Sequence, residues 1–150
     1  MILTYCYHIY IRESHITIYV LLLLTKKQLI MEIAIIAHDG KKAEMVAFLM
    51  KHLNALHNKN IQLVSTGTTG LHAEKAGLEV TKFHSGPIGG DAEIAARVVQ
   101  GFTKMVFFFR DPLGKHPHEP DVAMLMRLCD VHNIPLATNP ATAELLIKSL

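Results

Sequence analysis

The chain has 150 residues, half of them apolar and about a fifth charged, with a formal net charge of +2 at neutral pH. That length bounds one domain with a real core, and scattered basic residues on so small a net charge exclude a nucleic-acid footprint. Cys6 and Cys129 make neither a disulfide framework nor a CxxC or zinc pattern, which points to a reducing cytosol. The first thirty residues differ from the rest. Ile16 to Leu24 is an uncharged apolar run, too short for the about 20 residues a membrane helix needs. It has the length of a signal-peptide apolar region, but Thr25-Lys26-Lys27-Gln28 follows where small residues would mark a cleavage site. Residues 1–30 are therefore expected to be an extension outside the fold, and Met31 is expected to be the true start. No membrane role is expected.

From Met31 on, strand and helix patterns alternate. Residues 33–37 form an apolar run ending in polar residues, as a central parallel strand does. Met45, Val46, Leu49, Leu53 and Leu56 fall at helical spacing over 42–57. A second strand is expected at 61–65, then a short helix over 71–76 closed by Gly77, then a third strand at 78–83. A helix over 91–100 precedes Gly101, and the unbroken apolar run 105–109 reads as a strand buried on both faces. Pro120 and Asp121 signal a helix over 121–132. A fifth strand at 134–138 and a last helix from Pro140 to Leu150 complete the chain. The order predicts an α/β domain over 31–150, a doubly wound and mostly parallel five-stranded sheet with helices on both faces. Its first strand is expected beside the switch point.

The polar segments lie where the strands end. In such a sheet ligands bind outside the carboxyl ends of the strands. Thr66-Gly67-Thr68-Thr69-Gly70 could cradle phosphate with hydroxyls and helix N-terminal amides, or could be a Thr-rich capping turn. It is not a Walker loop, because no Gly-Lys-Ser/Thr follows. Ser85-Gly86-Pro87-Ile88-Gly89-Gly90-Asp91 is denser in glycine than a connection needs, yet Asp91 there is equally suited to an N-cap. Asp111, Pro112, His116, Pro117, His118, Glu119, Pro120 and Asp121 share one stiff loop, where imidazoles beside carboxylates suit proton transfer. His116, His118 and Glu119 offer metal donors, but no further spacing completes a zinc site. His38-Asp39 ends the first strand and Lys42 follows it, adding a point charge for phosphate. His84 borders the Ser85 loop and stays unassigned.

Taken in order, Ala37-His38-Asp39, the Thr66–Gly70 and Ser85–Asp91 loops, Phe108-Phe109-Arg110-Asp111-Pro112-Leu113, Pro117-His118-Glu119-Pro120-Asp121 and Ala137-Thr138-Asn139 resemble the methylglyoxal synthase family from Met31 to Leu150. The resemblance implies a cytosolic lyase, needing no metal and no cofactor, that converts dihydroxyacetone phosphate to methylglyoxal and inorganic phosphate. Phosphate would be product and inhibitor, and the assembly a homohexamer. It implies Asp91 as catalytic base, with Lys42, Thr66, Gly67, Thr68, Thr69, Ser85 and Gly86 on the phosphate. His38 and His118 would contact the carbonyl and hydroxyl end, and Asp39, Asp111 and Asp121 would orient these groups and shuttle protons. The family pattern continues past the last helix with a tail whose Arg reaches a neighbouring subunit's phosphate site, and this chain ends at Leu150 without it. The same fold resembles regulatory domains of carbamoyl-phosphate synthetases, so a binding module is the second expectation. Asp91, His118 and Asp121 together favour the enzyme.

Overall fold

Every residue of the apolar run in the first strand is used, on alternating faces. The computed structural model describes residues 31–58, 60–114 and 119–150; the expected extension over 1–30 lies outside them. In β1 (Met31–Ala37), Ile33, Ile35 and Ala37 face one core, and Ala34 and Ile36 face the other. β4 (Thr103–Phe109) repeats the pattern, with Met105, Phe107 and Phe109 on the first face and Val106 and Phe108 on the second. Successive strand side chains point to opposite faces, so a strand covered on both sides must be apolar throughout. Phe107, Phe108 and Phe109 are all fully buried, each contributing about 1.5–3 kcal/mol of transfer free energy.

Five parallel strands pair in the order β3-β2-β1-β4-β5, with β2 at Ile61–Ser65, β3 at Val80–Lys82 and β5 at Leu136–Ala137. The chain runs outward from β1 through β2 to β3, then returns to place β4 on the other side of β1. The switch point therefore lies between β1 and β4, as expected. One face is covered by α1 (Lys42–Lys51), α2 (Leu53–Asn58), α3 (Gly67–Lys75) and α6 (Pro140–Ile147), through Met45, Leu49, Leu56, Ala73 and Ala143. The other is covered by α4 (Gly90–Val99) and α5 (Glu119–Val131), through Ile94, Ala95, Val98, Val122 and Leu125.

Several boundaries differ from expectation. The helix expected over 42–57 breaks at His52, which leaves helical geometry at φ −106° and ψ 16°. Its ring meets Glu144 of α6 at 3.0 Å. α3 begins at Gly67, four residues early, so the Thr-Gly segment is the helix's own first turn. β3 begins late because Leu78 finishes α3. Gly77 takes φ +91°, its N–H donates to the Glu74 carbonyl, and the Leu78 N–H donates to that of Ala73, the paired bonds of a Schellman closure. β5 is two residues rather than five, and α5 starts at Glu119 rather than Asp121. Among the described residues, no helix is long and apolar enough to cross a membrane.

Candidate active site

The carboxyl ends of β1 and β2 and the loop after β3 converge on one pocket at the switch point. It is lined by His38, Asp39, Thr66, Thr68, Gly86 and Asp91, on an apolar floor that includes Ile36 and Phe108. Six of the residues singled out from sequence thus meet around one cavity.

His38 leaves β1 in extended geometry and is 5% exposed. Its Nδ1 accepts the Asp111 backbone N–H at 3.0 Å. An amide can only donate, so the bond assigns the ring proton to Nε2 in the neutral ring. The ring edge also packs on Phe108 at 5.2 Å between centroids. His38 is therefore a fixed imidazole whose orientation is set by the β4 loop. Asp111 contributes to the site through that amide, while its Oδ1 accepts the Leu113 N–H at 3.1 Å.

Asp39 opens a short 3₁₀ turn and is exposed on the pocket rim, and Lys42 is buried behind it. The Lys42 ammonium donates to Asp39 Oδ1 at 2.5 Å. The charge expected for phosphate therefore stands one side chain back from the cavity.

Thr66 is the N-cap of α3, in extended geometry. Its hydroxyl donates to Thr69 Oγ1 at 3.3 Å, and its oxygen makes no capping bond with the helix amides. Thr69 is 1% exposed; its hydroxyl accepts the Ala37 N–H at 3.2 Å and donates to the Ala37 carbonyl at 3.3 Å. Thr69 thus ties α3 to the end of β1, and what it has left for a ligand is its backbone N–H. Thr68 is exposed in the pocket. Gly67 sits where a Cβ would stand 3.0 Å from the Phe83 carbonyl oxygen, so a larger residue would require that backbone to give way.

Asp91 is 1% exposed. α4 starts one residue earlier, with Gly89 as N-cap at φ +101°, so Asp91 is not the cap that its position in the sequence suggested. Its carboxylate belongs to the pocket instead. α3 and α4 both open at this cavity, and their positive ends favour an anion there. Ser85 precedes Gly86 and uses its carbonyl to accept the Ile88 and Gly90 amides.

Asp121 lies in the first turn of α5 and does not line the pocket. The expectation for His118 falls outside the described residues. Sequence reasoning missed the apolar lining from Ile36, Pro87 and Phe108, because Ile36 and Phe108 read simply as strand core. It also left His84 unassigned, although the His84 N–H and ring Nδ1 both meet the Glu93 carboxylate, at 2.8 and 2.9 Å. Those bonds, the backbone one foremost, hold the Glu93 carboxyl below its ordinary pKa.

Residues 45–138 match the family model described as an MGS-like domain. The chain is 57% identical over 121 residues to a methylglyoxal synthase of Geobacillus thermodenitrificans strain NG80-2, covering 80% of this chain and 83% of that one. It is 52% identical over 121 residues to a methylglyoxal synthase of Bacillus subtilis strain 168, covering 80% and 87%. Among solved structures, the crystal structure of methylglyoxal synthase from Elizabethkingia anophelis NUHP1 superposes with a TM-score of 0.72 at 41% identity, covering 78% of this chain and 76% of that one.

Proposed function

The chain belongs to the methylglyoxal synthase family of lyases, and from that premise we propose that it converts dihydroxyacetone phosphate to methylglyoxal and inorganic phosphate through an enediolate. The observation that carries this reading is a carboxylate, Asp91, buried to 1% exposure in a pocket where two helix N-termini and a fixed imidazole also converge.

The substrate has a ketone between a hydroxymethyl carbon and a phosphorylated carbon. Asp91 takes a proton from the hydroxymethyl carbon, and the electron pair of that C–H bond moves onto the carbonyl oxygen. The Nε2–H of His38 donates to that oxyanion, with His118 as its partner. Preorganised donors aimed at developing charge supply the largest single share of many rate enhancements. The hydroxyl on the first carbon then gives up its proton and becomes the aldehyde, as the C–O bond to the other carbon breaks and phosphate leaves with that bond's electron pair. The resulting enolate takes up one of the two released protons at its terminal carbon and becomes the methyl ketone of methylglyoxal, and phosphate takes up the other. Atoms balance with no added water or redox partner.

Orientation decides between elimination and simple isomerisation. Phosphate leaves only when its C–O bond stands roughly perpendicular to the enediolate plane. Holding the phosphate between the first turns of α3 and α4 fixes that torsion, with Thr66, Gly67, Thr68, Thr69, Ser85 and Gly86 as its cradle and Lys42 behind Asp39 as a further cation. The leaving group then departs onto the same donors. Asp111 orients His38, and Asp121 shuttles protons with His118. Cytosolic location and assembly as a homohexamer belong to the same proposal.

The test is incubation of purified protein with dihydroxyacetone phosphate. Methylglyoxal and free phosphate are expected in equal amounts. Tight binding of the substrate without either product would overturn the lyase in favour of a binding module.

A further inference from the structure

One pair of side chains next to the site has no role in the chemistry above. His84 is the residue immediately before the Ser85 loop, and three pieces of the site meet at its backbone. Its carbonyl accepts the N–H of Gly67, in the first turn of α3, at 2.9 Å. A Cβ on Gly90, in the first turn of α4, would lie 1.9 Å from the same oxygen, so α4 is packed directly against it. Its own N–H donates to Glu93 Oε2 at 2.8 Å, and its ring Nδ1 meets Glu93 Oε1 at 2.9 Å. Glu93 stands two residues after Asp91 on α4.

The two side chains are not core packing. The His84 ring is 66% exposed and the Glu93 side chain 39% exposed. What they offer is a span: Glu93 reaches from the helix that carries Asp91 to the residue on which the Gly67 turn hangs. An exposed ion pair adds little to global stability, but misplacing a catalytic group by an ångström costs far more in rate than in folding.

We propose that Glu93 and His84 form a positioning clamp that holds the phosphate-facing turn of α3 and the Asp91 turn of α4 in register. The clamp rests on the reading of these two turns as the phosphate and base sites. Neither residue touches substrate.

Charge and span can be separated by substitution. Glu93→Asp keeps the negative charge but falls one methylene short. Glu93→Gln loses the charge but keeps the length: its carbonyl oxygen accepts the His84 N–H, and its amide donates to the other ring tautomer. Inorganic phosphate binding to the full chain is measured by calorimetry for wild type and both variants. The clamp predicts that Glu93→Asp binds phosphate about fivefold more weakly or worse, while Glu93→Gln binds at least as tightly as wild type. A purely electrostatic influence also allows tighter binding for Gln but predicts no change for Asp, so the Asp variant decides between them. Wild-type affinity in Glu93→Asp overturns the clamp. With dihydroxyacetone phosphate, Glu93→Asp is expected to raise KM and lower kcat together, and Glu93→Gln to restore both. Absence of turnover in all three proteins would sink the lyase reading, while the phosphate affinity of Glu93→Asp against wild type would still decide the clamp. Absence of phosphate binding by wild type would overturn both.

Discussion

Thr69 shows how a residue can be right for a site and still not face it. A threonine in a Thr-Gly turn reads as a hydroxyl for phosphate, yet this hydroxyl is the only side-chain group offered to both backbone atoms of Ala37 among the described contacts. That hydroxyl satisfies the buried amide at the end of β1, and a buried polar group left unsatisfied costs about 1–3 kcal/mol. Thr69→Val keeps the shape and removes the bond. It is expected to lower unfolding free energy by about 1–3 kcal/mol in urea titration, with Thr69→Ser recovering most of the loss. Wild-type stability in the valine variant would contradict the cross-link. Asp91 shows the converse. Its place at a helix start in the sequence suits capping, and the register of α4, beginning at Gly90 with Gly89 as cap, takes it out of the capping position and into the pocket lining. Cys129 is unreactive for a physical reason: burial pushes its thiol up to about 11, so it stays protonated at neutral pH.

Among the elements, α4 matters most, because it carries Asp91 at one end and an ion pair at the other. Arg97 donates from Nε to both Glu32 oxygens at 2.9 Å, and its Nη2 reaches the same carboxylate. Glu32 is 4% exposed at the start of β1 and also accepts the Thr103 hydroxyl. The guanidinium lies over Phe83 and Phe102, 5.4 and 5.0 Å from their centroids. The pair pins the far end of α4 to the two central strands. Removing one partner strands a buried charge, so Arg97→Ala is expected to cost about 3–5 kcal/mol. Equilibrium unfolding in urea measures it, and a loss below about 1 kcal/mol, the range of exposed pairs, would contradict burial of the carboxylate. Helix boundaries were the least legible feature at this scale. Gly67 and Gly70 read as loop residues because glycine is a poor helix former. They stand inside α3 because its first turn runs so close to β3 that a Cβ on Gly70 would lie 2.5 Å from Lys82 Cγ. Glycine here serves close approach, which local propensity does not register. Leu78 read as strand for a similar reason: its apolar side chain fits either assignment, and only its bond to Ala73 places it in the helix closure.

At the scale of the molecule, strand type and number were legible because both faces of the sheet are covered. Ile33 to Ala37 and Met105 to Phe109 had to be apolar at every position, and nothing but a central parallel strand asks for that over so short a run. The convergence of His38, Thr66, Gly86 and Asp91 followed from topology, since all four end or follow strands on one edge of the crevice. Less legible was how each group is used. The His84–Glu93 contact and the Asp111 backbone on His38 are set across 9 and 73 residues of sequence, which no spacing rule reaches. The proposed chemistry stands on Asp91 as the base, with the helix ends holding the phosphate independently of it. The most direct measurement compares Asp91→Asn with wild type for kcat on dihydroxyacetone phosphate and for affinity toward inorganic phosphate. A fall in kcat of about 10²–10⁴ is expected, with phosphate still bound at least as tightly as by wild type. A variant that turns over at the wild-type rate would remove Asp91 from the chemistry.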